Sequence, residues 1–235
     1  GWWLRAALTG PHLVVNSTRV AAELREAGVA GNRVCLIPNI YEPMPRPLAD
    51  RAALRRELNL PADAIVVAGI GRDSPTKDWP LFLAACAAAR QSCPKLHALL
   101  IGSGGTALQP AIRARGMESA CTITGEVPDA RRLLPAADLF FLSSREEGMP
   151  NVLLEAADAG CAILATDVGG VRDILAEAPD EAPTAGIIIA PGDINGAAEA
   201  LARLAGDETL RLALAVRARA RLAAFTADTA MAKYL

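Results

Sequence analysis

The stretch that decides the fold is Arg145-Glu146-Glu147-Gly148-Met149-Pro150-Asn151-Val152-Leu153-Leu154-Glu155. The apolar run Leu139-Phe140-Phe141-Leu142 precedes it, so the order predicts a buried parallel strand, a turn and the N-terminus of a helix. A turn of this kind directs free backbone N–H groups at one place, which suits an anion. Glu147 precedes the helix and Glu155 lies inside it, so both carboxylates can flank that place. Amides beside two carboxylates suit a ligand that is part phosphate and part polyhydroxyl, as a sugar nucleotide is.

Short apolar runs alternate with helix-period segments along almost the whole chain. Strands are predicted at 12–16, 33–37, 65–70, 97–101, 121–124, 139–143, 162–166 and 186–190. Helices are predicted at 18–27, 51–58, 80–91, 108–115, 130–135, 151–159 and 197–204, and again from 207 to the end with a break at Phe225-Thr226. This alternation indicates an α/β protein with a doubly wound, Rossmann-like parallel sheet flanked by helices. Ligands of such sheets bind beyond the carboxyl ends of the strands.

Composition and charge exclude several classes of protein. The chain has 235 residues, of which 52% are hydrophobic and 21% charged, so it can bury a sizeable core and disorder is not expected. A formal net charge of −2 gives no reason to expect nucleic acid or an anionic membrane as a partner. No apolar stretch reaches the roughly 18 residues of a transmembrane helix. The start is not a signal peptide and has no initiator methionine, so we expect the chain to begin inside a longer protein.

The cysteines and histidines predict neither a disulfide framework nor a metal site. The five cysteines are scattered without a CxxC pair, and we interpret them as reduced core residues of a cytosolic protein. His12 and His97 are far apart, and the Cys/His spacing is wrong for zinc. We therefore predict no metal and no cofactor.

The segment Ile37-Pro38-Asn39-Ile40-Tyr41-Glu42-Pro43-Met44-Pro45-Arg46-Pro47 marks a domain boundary. Its prolines favour a stiff extended conformation, and no helix or central strand can pass through it. We interpret 38–48 as an interdomain linker and 1–37 as the remnant of another domain, most of which is absent. Residues 49–224 then form the Rossmann-like domain, and 225–235 form a last helix that docks elsewhere.

The loop Gly71-Arg72-Asp73-Ser74-Pro75-Thr76-Lys77-Asp78 follows a predicted strand and carries two cations. Gly71 allows a close backbone turn, and Arg72 and Lys77 could neutralise a diphosphate without a metal. The alternative is a solvated loop whose cations pair with Asp73 and Asp78.

Three further patterns leave their function open. Gly102-Ser103-Gly104-Gly105 is a fragment of a dinucleotide-binding motif, but a tight strand-to-helix turn explains it better. Thr166-Asp167-Val168-Gly169-Gly170 could be a structural turn or a ligand contact. The pair Glu147 and Glu155 permits a glycoside hydrolase, although the spacing fits two hydrogen-bond acceptors on two hydroxylated rings better.

Taken together, these residues resemble the retaining family 4 glycosyltransferases (group 1), which have the GT-B fold. The resemblance is carried by Arg72 with Lys77, by Gly102-Ser103-Gly104, by Gly125-Glu126-Val127 and by the E-x7-E pair Glu147 and Glu155. Ala165-Thr166-Asp167-Val168-Gly169-Gly170 and Pro191-Gly192-Asp193 are similar to the family as well. The resemblance runs from about residue 11 to the end.

The resemblance implies a C-terminal domain that binds a UDP-, GDP- or ADP-linked hexose. Arg72 and Lys77 would hold the diphosphate, Glu147 would accept hydrogen bonds from the sugar, and Glu155 would bind the ribose. The loop at Val127 would contact the base, and Gly71 would allow the close approach. Backbone amides would contact sugar and phosphate at Gly148, Met149, Asn151, Val152 and Leu153, but not at Pro150, which has no N–H.

The same resemblance sets expectations for the whole protein. The acceptor would be a sugar or a lipid-linked sugar in polysaccharide biosynthesis, and the enzyme would be cytoplasmic, with possible contact to the inner face of the membrane through the missing N-terminal domain. The last helix, 225–235, would cross back to that domain. We expect the isolated chain to bind nucleotide but to transfer little or no sugar. A nucleotide-sugar epimerase or a phosphorylase of similar architecture, and a non-catalytic nucleotide-binding module, are the alternatives.

Overall fold

The structure is a computed structural model that describes residues 10, 12–102, 105–178, 182 and 184–234. Its strands are β1 Leu13–Val15, β2 Val34–Leu36, β3 Ile65–Ile70, β4 Leu96–Ile101, β5 Cys121–Ile123, β6 Leu139–Leu142, β7 Ala162–Thr166 and β8 Ile187–Ile189. Its α-helices are α1 Thr18–Glu26, α2 Arg51–Glu57, α3 Trp79–Ala89, α4 Gly105–Arg113, α5 Asn151–Ala159, α6 Val171–Leu175, α7 Ile194–Gly206, α8 Glu208–Arg221 and α9 Ala227–Tyr234.

The strands form two parallel sheets within the described residues. β1 and β2 pair with each other, and the other strands form a six-stranded sheet in the order β5-β4-β3-β6-β7-β8. From the central strand β3 the chain adds β4 and then β5 towards one edge of the sheet. It then returns to the centre, places β6 on the other side of β3, and continues towards the opposite edge. The strand order therefore reverses between β3 and β6, and a crevice opens there beyond the carboxyl ends of the strands. The loops after β3 and β6 border this crevice.

The central strands are buried on both faces, as expected for a doubly wound sheet. In β6, Phe140 and Leu142 pack into the core layer that contains α5, while Leu139 and Phe141 pack into the layer that contains α3 and α7. All four side chains are at most 2% exposed. Burying each contributes about 1.5–3 kcal/mol, so the strand that leads into the Glu147 turn is firmly fixed.

The predicted α/β fold and all the predicted strands are confirmed. The α-helix predicted at 130–135 is wrong in type: Ala130–Ala136 is a 3-10 helix, and Pro135 inside it cannot donate the hydrogen bond of an α-helix. The short helix α6 was not predicted, since its five residues give too little periodicity. In the predicted glycine turn after β4, residues 103 and 104 lie outside the described part of the chain, as do residues 1–9, 11 and 235 of the predicted terminal segments.

The proline-rich segment after β2 contains no helix or strand and is held against the larger sheet by one buried carboxylate. Asp158 on α5 is 2% exposed and accepts hydrogen bonds from Tyr41 Oη at 3.0 Å and from the Met44 N–H at 2.7 Å. Arg46 forms an ion pair with the same carboxylate. Burial and the Asp158 hydrogen bond raise the pKa of Tyr41, so the phenol stays protonated and donates. This segment is therefore held against α5 along several residues.

Replacing this carboxylate should destabilise the whole chain. Asp158→Ala leaves the Met44 N–H without its acceptor and Arg46 without its ion-pair partner, so we expect the free energy of unfolding to fall by about 2–4 kcal/mol. Urea denaturation followed by circular dichroism measures this. Glu57→Ala is the matched control, because Glu57 belongs to an exposed ion pair with Arg132 and its loss should leave stability nearly unchanged. Equal effects of the two substitutions would contradict the anchoring role of Asp158.

Candidate active site

An ion pair joins the two loops at the crevice. Lys77, in the loop after β3, places Nζ 2.6 Å from Glu147 Oε1, in the loop after β6. Ser144 Oγ donates to the same carboxylate oxygen at 2.7 Å. The Glu147 and Lys77 side chains are 15% and 26% exposed, so solvent screens the pair only in part. The structure thus brings together two residues that the sequence proposed for one site, although they are separated by 70 positions.

A second set of contacts fixes the same two loops to each other. Arg145 Nε donates to the buried Asp78 carboxylate at 2.7 Å, and the Arg145 N–H donates to the Thr76 carbonyl at 2.7 Å. Ser143 Oγ donates to the Lys77 carbonyl at 2.8 Å. Lys77 and Asp78 thus each pair with a residue on the loop after β6 and not with each other. Sequence spacing could not show this, because the pairing depends on which strands are neighbours.

Glycines on neighbouring loops permit the close packing around Glu147. Gly169 has φ +49°, and a Cβ there would lie 2.1 Å from the Glu147 carbonyl oxygen. The Gly170 N–H donates to the Gly148 carbonyl at 2.6 Å. The glycine pair after β7 is thus needed as a structural turn that supports the Glu147 loop. On the other side of the crevice, a Cβ on Gly102 would lie 2.3 Å from the Gly71 carbonyl oxygen.

The N-terminus of α5 follows Glu147 directly. Met149 and Pro150 are buried, whereas Gly148 and Asn151 are exposed. The first N–H groups of a helix have no partner within the helix and remain available to a ligand. Val152 and Leu153, both predicted to contact the ligand through their N–H groups, differ. Val152 is half-buried and lies among these first positions of the helix, whereas the Leu153 N–H already donates to the Pro150 carbonyl at 2.9 Å.

Glu155 lies further along α5 in a different environment. Its side chain is half-buried, and burial raises the pKa of its carboxyl group, with Arg131 acting in the opposite direction and Asp129 adding to the rise. These charged neighbours belong to the segment after β5 that also carries Val127, which packs against the core. Among the described residues, no hydrogen bond to the Glu155 carboxylate is present. The segment that carries Val127 therefore lies close to Glu155.

Arg72 is exposed in the loop after β3, and its backbone carbonyl accepts a hydrogen bond from Trp79 Nε1 at 3.1 Å. The neighbouring Gly71 donates its N–H to the Ile101 carbonyl at 3.0 Å, which ties this loop to β4. In the described part of the chain, Arg72 takes part in no ion pair. Its guanidinium group therefore remains available at the loop that carries Lys77.

The described residues contain no group of three or more His, Cys, Asp or Glu side chains that could hold a metal ion. None of their helices combines the length and the apolarity required to span a bilayer.

Solved structures and characterised relatives place this fold in one class of protein. The crystal structure of Anabaena Alr3699/HepE in complex with UDP superimposes with a TM-score of 0.85 at 23% sequence identity, covering 98% of this chain and 65% of that one. The fold is that of the GT-B glycosyltransferases.

Sequence relatives belong to the same class. The lipopolysaccharide core biosynthesis glycosyltransferase LpsE of Rhizobium meliloti (strain 1021) is 29% identical over 165 residues, 69% of this chain and 46% of LpsE. The D-inositol 3-phosphate glycosyltransferase of Streptosporangium roseum is 29% identical over 233 residues, 91% of this chain and 51% of that enzyme. The chain thus spans about half the length of these relatives. The family model described as glycosyl transferases group 1 matches residues 64–207, more than half of the chain, so the chain belongs to this family.

The half-buried carboxyl of Glu155 predicts a pH-dependent effect on stability. Its pKa is raised above the ordinary value of 4.5, so the folded chain loses stability as pH rises from that value through the raised pKa. Glu155→Gln cannot ionise and therefore avoids this loss of stability. We expect the variant to melt at a higher temperature than the wild type at about pH 7.5 and at nearly the same temperature at about pH 4, as measured by thermal denaturation.

Glu146→Gln is the control for this prediction, because Glu146 is exposed in the turn that precedes the same helix. It should show no comparable gain at neutral pH. A wild type that is as stable as Glu155→Gln at neutral pH would disprove the burial cost assigned to Glu155.

Proposed function

We propose that this chain is the donor-binding half of a retaining family 4 glycosyltransferase, which transfers a hexose from a nucleoside-diphosphate sugar to a sugar or lipid-linked acceptor. The observation that carries the proposal is the Lys77–Glu147 ion pair at the switch point of the sheet, beside the N-terminus of α5. A cation, a helix N-terminus and a carboxylate converge there, and a diphosphate bonded to a sugar needs all of these.

The diphosphate would bind where the positive groups meet. Lys77 and Arg72 supply two cations, and the free N–H groups at the tip of α5 supply donors with the positive end of the helix dipole. These groups stabilise the charge that develops on the nucleotide as it leaves, without requiring a metal ion. The acceptor would attack from the same face, and the departing diphosphate would take its proton, which retains the configuration of the sugar.

The two glutamates would bind the rings on either side of the phosphates. Glu147 accepts hydrogen bonds from Lys77 and Ser144 through Oε1, which leaves Oε2 for hydroxyl groups of the hexose. The ribose hydroxyls would donate to Glu155 and so compensate the carboxylate for its burial, while Val127 would lie against the base. The proposal thus gives a ligand-binding reason for an energetically costly carboxylate on α5.

Similar proteins support a nucleotide sugar as the donor. Crystal structures of HepE hold UDP and UDP-glucose, so UDP-glucose is the first ligand to test. The sequence relatives named above are a lipopolysaccharide core biosynthesis glycosyltransferase and a D-inositol 3-phosphate glycosyltransferase, which supports a sugar or sugar-like acceptor. The family does not favour an epimerase.

The N-terminal acceptor domain would supply the remainder of the site. Under this division, 1–37 and 225–235 belong to the junction with that domain, 38–48 is the linker and 49–224 binds the donor. The chain alone would bind nucleotide and transfer little or no sugar.

Calorimetry with three ligands tests these assignments. Lys77→Met or Arg72→Met should weaken UDP binding by about ten- to a hundredfold, the value of one charge-assisted hydrogen bond, and should leave uridine binding unchanged. Glu147→Gln should spare UDP and weaken UDP-glucose. Lys95→Met is the control, since Lys95 is an exposed cation at the amino end of β4, on the opposite edge of the sheet.

Equal losses for UDP and uridine in the Lys77 and Arg72 variants would contradict the diphosphate assignment. Failure of the wild-type chain to bind any of UDP, GDP and ADP would contradict the proposed function itself.

A further inference from the structure

A chain of three asparagine side chains connects the linker to the tip of α5. Asn16 follows β1, Asn39 lies in the linker after β2, and Asn151 is the first residue of α5. Asn16 Nδ2 donates to Asn39 Oδ1 at 3.0 Å, and Asn39 Nδ2 donates to Asn151 Oδ1 at 2.6 Å. This row of asparagines passes beside the Glu147 loop, because a Cβ on Gly148 would lie 3.7 Å from Asn16 Oδ1.

The direction of these hydrogen bonds fixes the orientation of each amide. A carboxamide has one oxygen that accepts and one NH₂ group that donates. The Asn39 oxygen accepts the hydrogen bond from Asn16. The Asn39 NH₂ group therefore faces Asn151 and donates to the Asn151 oxygen. Asn151 therefore retains its Nδ2 as a donor, and within the described residues this Nδ2 has no acceptor.

We propose that Asn39 is a positioning residue that holds Asn151 with its NH₂ group presented to an oxygen of the donor's diphosphate. The inference rests on the proposed function. Phosphate oxygens only accept hydrogen bonds, so an amide that presented Nδ2 would bind them and an amide that presented Oδ1 would repel them. A residue of the linker thereby determines whether the exposed side chain at the helix tip attracts or opposes the ligand.

An isosteric substitution at a distance from the ligand separates this role from a structural one. In Asn39→Asp, residue 39 still accepts from Asn16 but can no longer donate to Asn151. Asn151 must then reverse, so that Nδ2 donates to Asp at position 39 and Oδ1 faces the phosphate. We expect UDP affinity to fall by about tenfold, whereas Asn39→Ala, which leaves Asn151 free to rotate, should lower it by about two- to threefold.

The negative charge of the new Asp could itself oppose the phosphate, and a double-mutant cycle excludes this explanation. In an Asn151→Ala background, Asn39→Asp should change UDP affinity by less than about twofold, since no amide remains to reverse. A tenfold loss that persists in this background would show a direct charge effect and overturn the proposal. Thermal denaturation and uridine affinity of every variant, which should remain near the wild-type values, check the fold.

The outcomes also distinguish the inference from the function on which it rests. Suppose that the wild-type chain binds UDP, or GDP in its place. If Lys77→Met then weakens this binding and Asn39→Asp does not, the inference is wrong and the proposed function stands. An effect of Asn39→Ala as large as that of Asn39→Asp likewise overturns the inference, because a simple contact would then explain both. If the wild type binds no nucleoside diphosphate, both fail.

Discussion

The ion pair between Lys77 and Glu147 is the interaction on which the site depends. The two residues are distant in the chain, and they meet because β3 and β6 are neighbours at the place where the strand order reverses. Each lies in the loop that follows its strand, so the register of the sheet sets the distance between their side chains. A cation and a carboxylate held this way can bind a diphosphate and a sugar together, whereas either alone would bind only one part.

Helix α5 joins the other parts of the molecule to this ion pair. Its first residue, Asn151, contacts the linker through Asn39, and its last turn holds the linker again through Asp158. Between them, Glu155 carries a carboxylate whose burial raises its pKa. The helix is thus fastened at both ends. The Glu155 carboxylate, whose burial costs stability, lies in the middle, where a ligand can compensate for that cost.

Local sequence patterns predicted the fold, and they predicted that Lys77 and Glu147 lie close together. Buried strands such as β6 are visible as apolar runs, and the Glu147–Glu155 spacing with its glycine turn marks a loop and a helix tip. The partners of these residues were not predictable, because they depend on contacts between distant segments. The sequence offered Asp73 and Asp78 as partners for the cations of their own loop, whereas in the structure Lys77 pairs with Glu147 and Asp78 with Arg145. The role of Asp158 and the contact between the Gly169 turn and the Glu147 loop were missed for the same reason, because each involves a segment far away in sequence.

The most direct test of the central claim is a crystal structure of the chain in complex with UDP-glucose. The account predicts diphosphate oxygens within about 3.2 Å of Lys77 Nζ and of N–H groups at the tip of α5, with the hexose against Glu147 and the ribose against Glu155. A nucleotide bound with its phosphates remote from Lys77, for example at the turn after β4, would contradict it.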